Sequence, residues 1–425
     1  MKEDLLHFIW KYKKLQLQEL VSSKGEQIRI IEVGTHNYFA GPDFFNSKVE
    51  IDGQLWAGNV EVHLNSSDWY AHHHEQDPNY NNVILHVVWE DDATIFRSDN
   101  TEIPTLQLKN FISAEVLDAY RRLFDKSKKS FINCENDIGD IDDFTVGNWL
   151  ERLYFERLER KSEEVTSLLE ASTNDWEQVL FSMLLKNFGL NINGEAFLSL
   201  AQALNFSVVR KLQTSVPQLE SVFFGMSHLL EEETVLDAYY IQLKKEFDYQ
   251  RHKFELKPES VQKPEFFRLR PPNFPTIRLS QLANLYSAQH GLFHKVMQTS
   301  NLKDFYQLFD ISASSYWDDH FTFGKTSKKS TKKLTKKFID LLLINTVLPL
   351  KFCYAKFNGK DKNAEIETIS TAIKKEENSI ANNFRMHGLQ VQHSRDSQAV
   401  LELYKQYCTT NRCLECAIGS RLLGR

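Results

Sequence analysis

The sequence predicts an α+β protein: a small mixed β-sheet domain at the N-terminus, followed by a large, mainly α-helical region. Two observations predict it. Up to residue 112, β-branched and alternating runs dominate, punctuated by Gly34, Gly53 and Gly58, which is the period-two signature of strands. Beyond that point apolar residues recur at spacings of three and four among Arg and Glu, the pattern of amphipathic helices. A chain of 425 residues exceeds one ordinary core, so domains at 1–112, 113–262 and 263–425 are expected.

Leu5, Phe8, Ile9, Tyr12, Leu15, Leu17 and Leu20 place a first helix over residues 4–21. Ile28 to Gly34 is a β-branched run ending in glycine, a strand. Ser47 to Asp52 alternates, Gly53 marks a turn, and Gln54 to Leu64 alternates again, which reads as a hairpin. In its second arm Val60, Val62 and Leu64 point one way, and Asn59, Glu61 and His63 the other. A short helix follows over Ser67 to His72, with Ser66 or Ser67 as N-cap. Val83 to Trp89 is nearly continuous apolar sequence, a strand covered on both faces. Ile95 to Arg97 and Thr105 to Leu108 would add a hairpin at the sheet edge.

Helices are then expected over 144–169, 175–188, 195–205, 218–231, 235–250, 278–298, 333–345 and 396–407. The stretch from Lys263 to Pro275, with Pro271-Pro272, cannot be a regular helix. Residues 355–378, rich in Lys, Asn and Glu, read as a mobile linker or exposed hairpin.

Composition sets limits on function. With 42% hydrophobic and 25% charged residues the chain is globular, and a net charge of −6 gives no global positive field. Met1-Lys2-Glu3-Asp4 has no secretory pattern, and the apolar stretch from Phe338 to Leu350 is interrupted by Asp340 and Asn345. A cytoplasmic protein with no membrane association is expected. Five cysteines, three of them within the last 18 residues, do not form a secreted disulfide framework.

Chemistry concentrates in the N-terminal part. Gly41-Pro42-Asp43-Phe44 precedes the hairpin, and Glu61 and His63 lie on its return strand. Two carboxylates gathered at a sheet edge can hold a divalent cation. The plainer reading makes Asp43 a turn residue after proline and leaves Glu61 and His63 on the polar face of a half-exposed strand. His72, His73 and His74, with Asp77, His63 and His86, put five imidazoles within 24 residues. Histidine with aspartate suits zinc, iron or manganese, although a surface loop explains the run as well. His72 or His74 would support a metal or phosphate beside Asp43 and Glu61 if the turn brought them there.

Two further features concern partners and metals. Lys325, Lys328, Lys329, Lys332, Lys333, Lys336 and Lys337 fall at spacings that put most of them on one helix face. Such a face tracks phosphates or is simply solvated. Arg268 and Arg270 add two guanidiniums in the rigid turn before Pro271. At the C-terminus Cys408, Cys413 and Cys416 offer three ligands to a zinc or iron–sulfur site that normally takes four, with Cys353, Cys134 or His393 as candidate fourth ligands. Buried thiols in a terminal helix are the alternative.

The element order, with Asp43 and Glu61, resembles the PD-(D/E)XK nuclease superfamily, whose core runs helix, three strands, helix, strand. The resemblance implies Mg2+ or Mn2+ held by Asp43, Glu61 and the carbonyl of Val62, with Glu19 of the first helix as an additional carboxylate. It further implies water activation at a scissile phosphate of DNA or RNA. His63 stands where that superfamily has Lys; histidine can orient or deprotonate a water without supplying a permanent charge. Some nucleases of the superfamily carry iron–sulfur clusters.

Over its length the chain resembles a bacterial family known as domain of unknown function 2851. The motifs that carry this are GPDF at 41–44, GNVEVH at 58–63, SSDW at 66–69, LHVVW at 85–89, RLRPPNFPTIRL at 268–279, YWDDHF at 316–321, INTVLP at 344–349 and CLECAIG at 413–419. That resemblance implies no activity. The leading expectation is a metal-dependent nuclease whose helical region positions DNA or RNA. A non-catalytic nucleic-acid- or protein-binding protein on a degenerate nuclease fold is the alternative. A third reading is a hydrolase with its metal among His72, His74 and Asp77.

Overall fold

The computed structural model describes residues 2–125, 127 and 129–424. The chain divides into two units, one of Met1–Trp149, Asn383–Leu389 and Leu403–Arg425, the other of Leu150–Asn382 and Gln390–Glu402. This division departs from the expected boundaries at 112 and 262, because the C-terminal tail belongs to the same unit as the sheet.

In the first unit, helix α1 (Glu3–Lys11) is shorter than the periodicity suggested. Lys13 adopts a left-handed φ of 50° and the Lys14 N–H turns back to the Ile9 carbonyl, which ends the helix. Its Leu5, Leu6, Phe8, Ile9 and Trp10 are buried. Glu19, expected on this helix, instead lies exposed in a single turn, Leu17–Glu19.

The sheet comprises β1 (Ile28–Glu32), β2 (Thr35–His36), β3 (Phe44–Ile51), β4 (Gln54–Asn65), β5 (Val83–Glu90) and β6 (Thr105–Gln107). Its order is β1-β3-β4-β5-β6, with β2 pairing to β3. The β1–β3 and β3–β4 pairs are antiparallel, and the β4–β5 and β5–β6 pairs parallel. Asp52 and Gly53, with φ of 47° and 81°, turn the β3–β4 hairpin, the positive-φ pair such tight turns require.

Strand β3 begins at Phe44 rather than Ser47, so Asp43 sits directly before it. The β4-to-β5 crossover carries the short helix α2 (Asp68–Ala71) and two single turns, His74–Gln76 and Pro78–Tyr80. Trp69, Tyr80, Val83, Ile95 and Ile103 pack as one apolar cluster beneath it. The expected edge hairpin does not form: β6 pairs parallel with β5, and Phe96 makes only an isolated bridge to Glu102. The loop between them closes on the crossover instead, where the Trp69 Nε1–H donates to the Phe96 carbonyl.

The second unit is mainly helical, with one short antiparallel pair of strands, His320–Thr322 and Lys325–Thr326. Helices Trp176–Phe188, Leu190–Ala203, Val216–Met226 and Ala238–Phe254 lie close to the sequence expectation. The expected 278–298 helix is broken in two, Pro275–Ala288 and Leu292–Gln298, by Gly291 at a φ of 66°. Residues 355–378 are not a mobile linker. They contain helix Asn363–Ala372, whose Ile366, Ile369 and Ser370 are buried on one face. The helical run Lys336–Phe357 spans 22 residues at mean hydropathy 1.5, long and apolar enough to cross a membrane, yet 78% of its apolar window is buried in the fold.

Within that run Lys351 is buried, and its ammonium donates to the carbonyls of Val296, Met297 and Thr299 and pairs with Glu365 at 2.8 Å. Lys351 thereby satisfies the carbonyl end of helix Leu292–Gln298. Lys351→Met is expected to cost roughly 3 kcal/mol, because it leaves buried acceptors unpaired. A thermal melt within about 1 °C of the parent would dismiss that assignment.

Candidate metal centre

From Gly58 to His63 every residue of β4 is buried, although its final pair is only half-buried. The supposed polar face of this strand is therefore interior. Both α1 and α2 pack against β4, covering what alternation alone would assign to solvent. Glu61 is 4% and His63 2% exposed. Burial of a carboxylate at that level is costly unless something compensates it.

Asp43 and Glu61 are tied reciprocally. The Asp43 N–H donates to Glu61 Oε2 at 3.1 Å, and the Val62 N–H donates to Asp43 Oδ2 at 3.0 Å. Val62 thus meets Asp43 through its amide N–H. The other oxygen of Glu61 faces imidazoles: Oε1 is 3.4 Å from His63 Nε2 and 3.3 Å from His74 Nε2. His72 Nδ1 lies 3.1 Å from His63 Nε2.

These separations match the roughly 3.4 Å edges of a tetrahedron around an ion bonded at about 2.1 Å. Among the described residues, His63, His72 and His74 are the one trio with ligand atoms all within 4.8 Å of one another. His74 Nε2 is buried and makes no hydrogen bond.

His73 explains how neighbours in sequence converge. It takes a left-handed φ of 60° between α2 and the following turn, a conformation histidine tolerates better than bulkier residues. That reversal sends His72 and His74 to the same partner and leaves His73 exposed. Tyr80 stacks on His74 with ring centroids 3.8 Å apart. Behind the cluster, fully buried His86 meets His63 Nδ1 through its Nε2 at 2.8 Å. Such a second layer fixes the orientation and tautomer of a ligating imidazole.

Electrostatics follow from burial. The Glu61 carboxyl is raised to about 9, first by desolvation and then by the neighbouring Asp43 charge. Burial, with His74 and His72 adding repulsion, lowers His63 to about 3. His7 is an exception: burial opposes its charge, but the hydrogen bond and charge of Asp43 outweigh this and raise it. Its Nε2 lies 3.2 Å from Asp43 Oδ2. His7 and Glu3, which face this site from α1, were missed from sequence. Their i,i+4 spacing on one helix face was the available signal.

These shifts predict a pH profile for the metal-free protein. The raised Glu61 contributes stability below its ordinary 4.5 that is lost as pH rises through about 9. The depressed His63 contributes stability above its ordinary 6.5 that is lost as pH falls through about 3. Melting temperature with a chelator present is expected to plateau between these ordinary values and fall on both sides. Glu61→Gln should flatten the alkaline limb and keep the acid one; an unchanged alkaline slope would refute the assignment.

Other expected residues fall elsewhere. Asp77 accepts the Asn79 N–H and caps a turn, outside the histidine trio. The lysine run is no helical stripe: Lys325 lies in a two-residue strand, and the helix starts only at Lys336, capped by Thr335. Lys328 and Lys329 are exposed on the intervening non-helical segment. Lys332 is buried, its ammonium donating to the Asp318 and Ser330 carbonyls, and Lys333 pairs with Asp310 at 2.5 Å. The hydroxyl-rich Thr326 to Thr331 sequence disfavours a helix there. Arg268 and Arg270 are exposed, with the Arg268 guanidinium over the Phe267 ring.

A family model described as protein of unknown function (DUF2851) matches residues 3–379. No curated protein and no solved structure matches the chain.

Proposed function

We propose a function from the site itself, because the chain belongs to DUF2851, a family whose description assigns no activity: it is a metal-dependent phosphodiesterase acting on DNA or RNA. One observation carries the reading. A buried carboxylate, Glu61, is bonded on one oxygen to Asp43 and faces His63 and His74 with the other. The helix, three antiparallel strands, crossover helix and parallel strand around it support a PD-(D/E)XK-like core, with Asp43 at a strand start and Glu61 on the next strand.

Glu61, His63 and His74 would hold the cation, with His72 on the exposed side. Their donor set favours Mn2+ or another first-row ion over Mg2+, which prefers oxygen ligands. A bound cation would lower the pKa of a water and neutralise charge on a phosphate. Asp43 orients Glu61 and, by its hydrogen bond and charge, shifts His7 toward its protonated form. His7, more than the depressed His63, is then the candidate for the positive charge that the superfamily takes from its lysine.

The broken lysine stripe favours one second reading, a substrate smaller than a polymer. Both are tested by assaying linear, nicked and branched DNA, RNA and a chromogenic small phosphodiester with Mn2+, Mg2+ or Zn2+. Polymer cleavage lost in Asp43→Ala and Glu61→Ala supports the nuclease. Turnover of the small diester alone supports the second reading. Equal activity in parent and variants dismisses both.

A further inference from the structure

The first unit contains a second convergence, of thiols. Cys134 lies in a loop held by Glu135, whose carboxylate accepts the Ser130, Phe131 and Ile132 N–H groups. That loop meets the C-terminal tail: Asn133 Nδ2 donates to Asn411 Oδ1 at 3.2 Å and to Cys413 Sγ at 3.3 Å. Cys134, Cys408, Cys413 and Cys416 all line one small apolar cavity, together with Leu123, Ile138 and Leu403. None of the five cysteines is in a disulfide. Of the candidate fourth ligands, Cys134 is the one brought to the tail. Cys353 is buried in the other unit, and His393 pairs with Asp396.

Four thiols around a void are an unusual way to fill an interior. Burial pushes the Cys134, Cys408 and Cys416 thiols up, and their mutual proximity adds to this. Ile418 and Gly419 donate their backbone N–H groups to the Cys416 sulfur, the kind of contact that stabilises a ligating thiolate. Gly419 has no substitute, because a Cβ there would lie 2.0 Å from the Cys413 carbonyl oxygen.

Spacing discriminates between metals. A zinc ion bonded to four sulfurs at about 2.3 Å would set them about 3.8 Å apart, with no water-sized space between. Here a cavity of about 20 Å3 is left between the cysteines, space that a single ion bonded to all four would not leave. The histidine trio, and no cysteine trio, is the described group within 4.8 Å.

We propose that Cys134, Cys408, Cys413 and Cys416 form a four-thiolate site for an iron–sulfur cluster. Each thiol gives up its proton to become a ligand, and the bound cluster cross-links the Cys134 loop to the tail. The assignment is independent of the phosphodiesterase reading.

The test uses the full chain, reconstituted anaerobically with ferrous iron and sulfide. About four iron and four sulfide per chain are expected, with visible charge-transfer absorption and a paramagnetic signal on reduction. Cys134→Ser and Cys416→Ser should lose this absorption, while Cys353→Ser keeps it. Should the serine variants fail to fold, the iron and sulfide content of the parent still decides. A parent retaining neither, one binding a single zinc instead, or a Cys134→Ser variant with undiminished cluster would overturn the proposal.

Discussion

Alanine at Glu61 is expected to reduce metal-dependent phosphodiester cleavage by about 10^3-fold or more, equivalent to roughly 4 kcal/mol of transition-state stabilisation. The size follows from position. Among the described residues Glu61 bridges Asp43 and the imidazoles His63 and His74, so in the proposed reaction its loss removes one ligand and the orientation of the rest. Asp43→Ala should approach the same loss by a different route, since it frees the Val62 N–H and uncouples His7.

His86→Leu offers a graded comparison. It touches the cluster only through His63 Nδ1 and should cost about 10 to 100-fold in metal affinity, the usual scale for an orienting partner. Calorimetric titration with Mn2+ separates the cases. If His86→Leu binds as weakly as Glu61→Ala, the assignment of ligand and orienting partner is wrong.

Gly58→Ala is expected to produce the largest loss of stability near the site, roughly 3 kcal/mol. A Cβ there would lie 2.4 Å from Ile84 Cγ2 and 2.6 Å from the Asn82 carbonyl oxygen. That same oxygen accepts the Asn59 N–H at 2.8 Å where β4 and β5 begin to pair. Relief of the clash must part the two strands that carry Glu61 and His63 on one side and His86 on the other. Thermal unfolding several degrees lower, together with weaker Mn2+ binding, is the expected pair of results. Unchanged melting would show that the strands absorb the methyl without moving.

The hairpin was legible in the sequence because its signals are local. Alternation on both sides of Asp52-Gly53 sets the register, and the apolar run of β5 announced burial on both faces. Asp43 and Glu61 followed from that register. The lysine stripe and the long first helix failed for a local reason too: residue spacing was read without the hydroxyl-rich segment and the Lys13 reversal that break them.

By itself the sequence determined that β3 and β4 pair as a hairpin, where that hairpin turns, and which two carboxylates stand at its head. Those features depend on neighbours a few residues apart, within reach of backbone periodicity. Only the tertiary structure decided that the polar face of β4 is interior, that His7 reaches Asp43, and that Cys134 meets a tail more than 270 residues away. Burial and convergence depend on which distant element packs against a surface, and no local spacing encodes that partner.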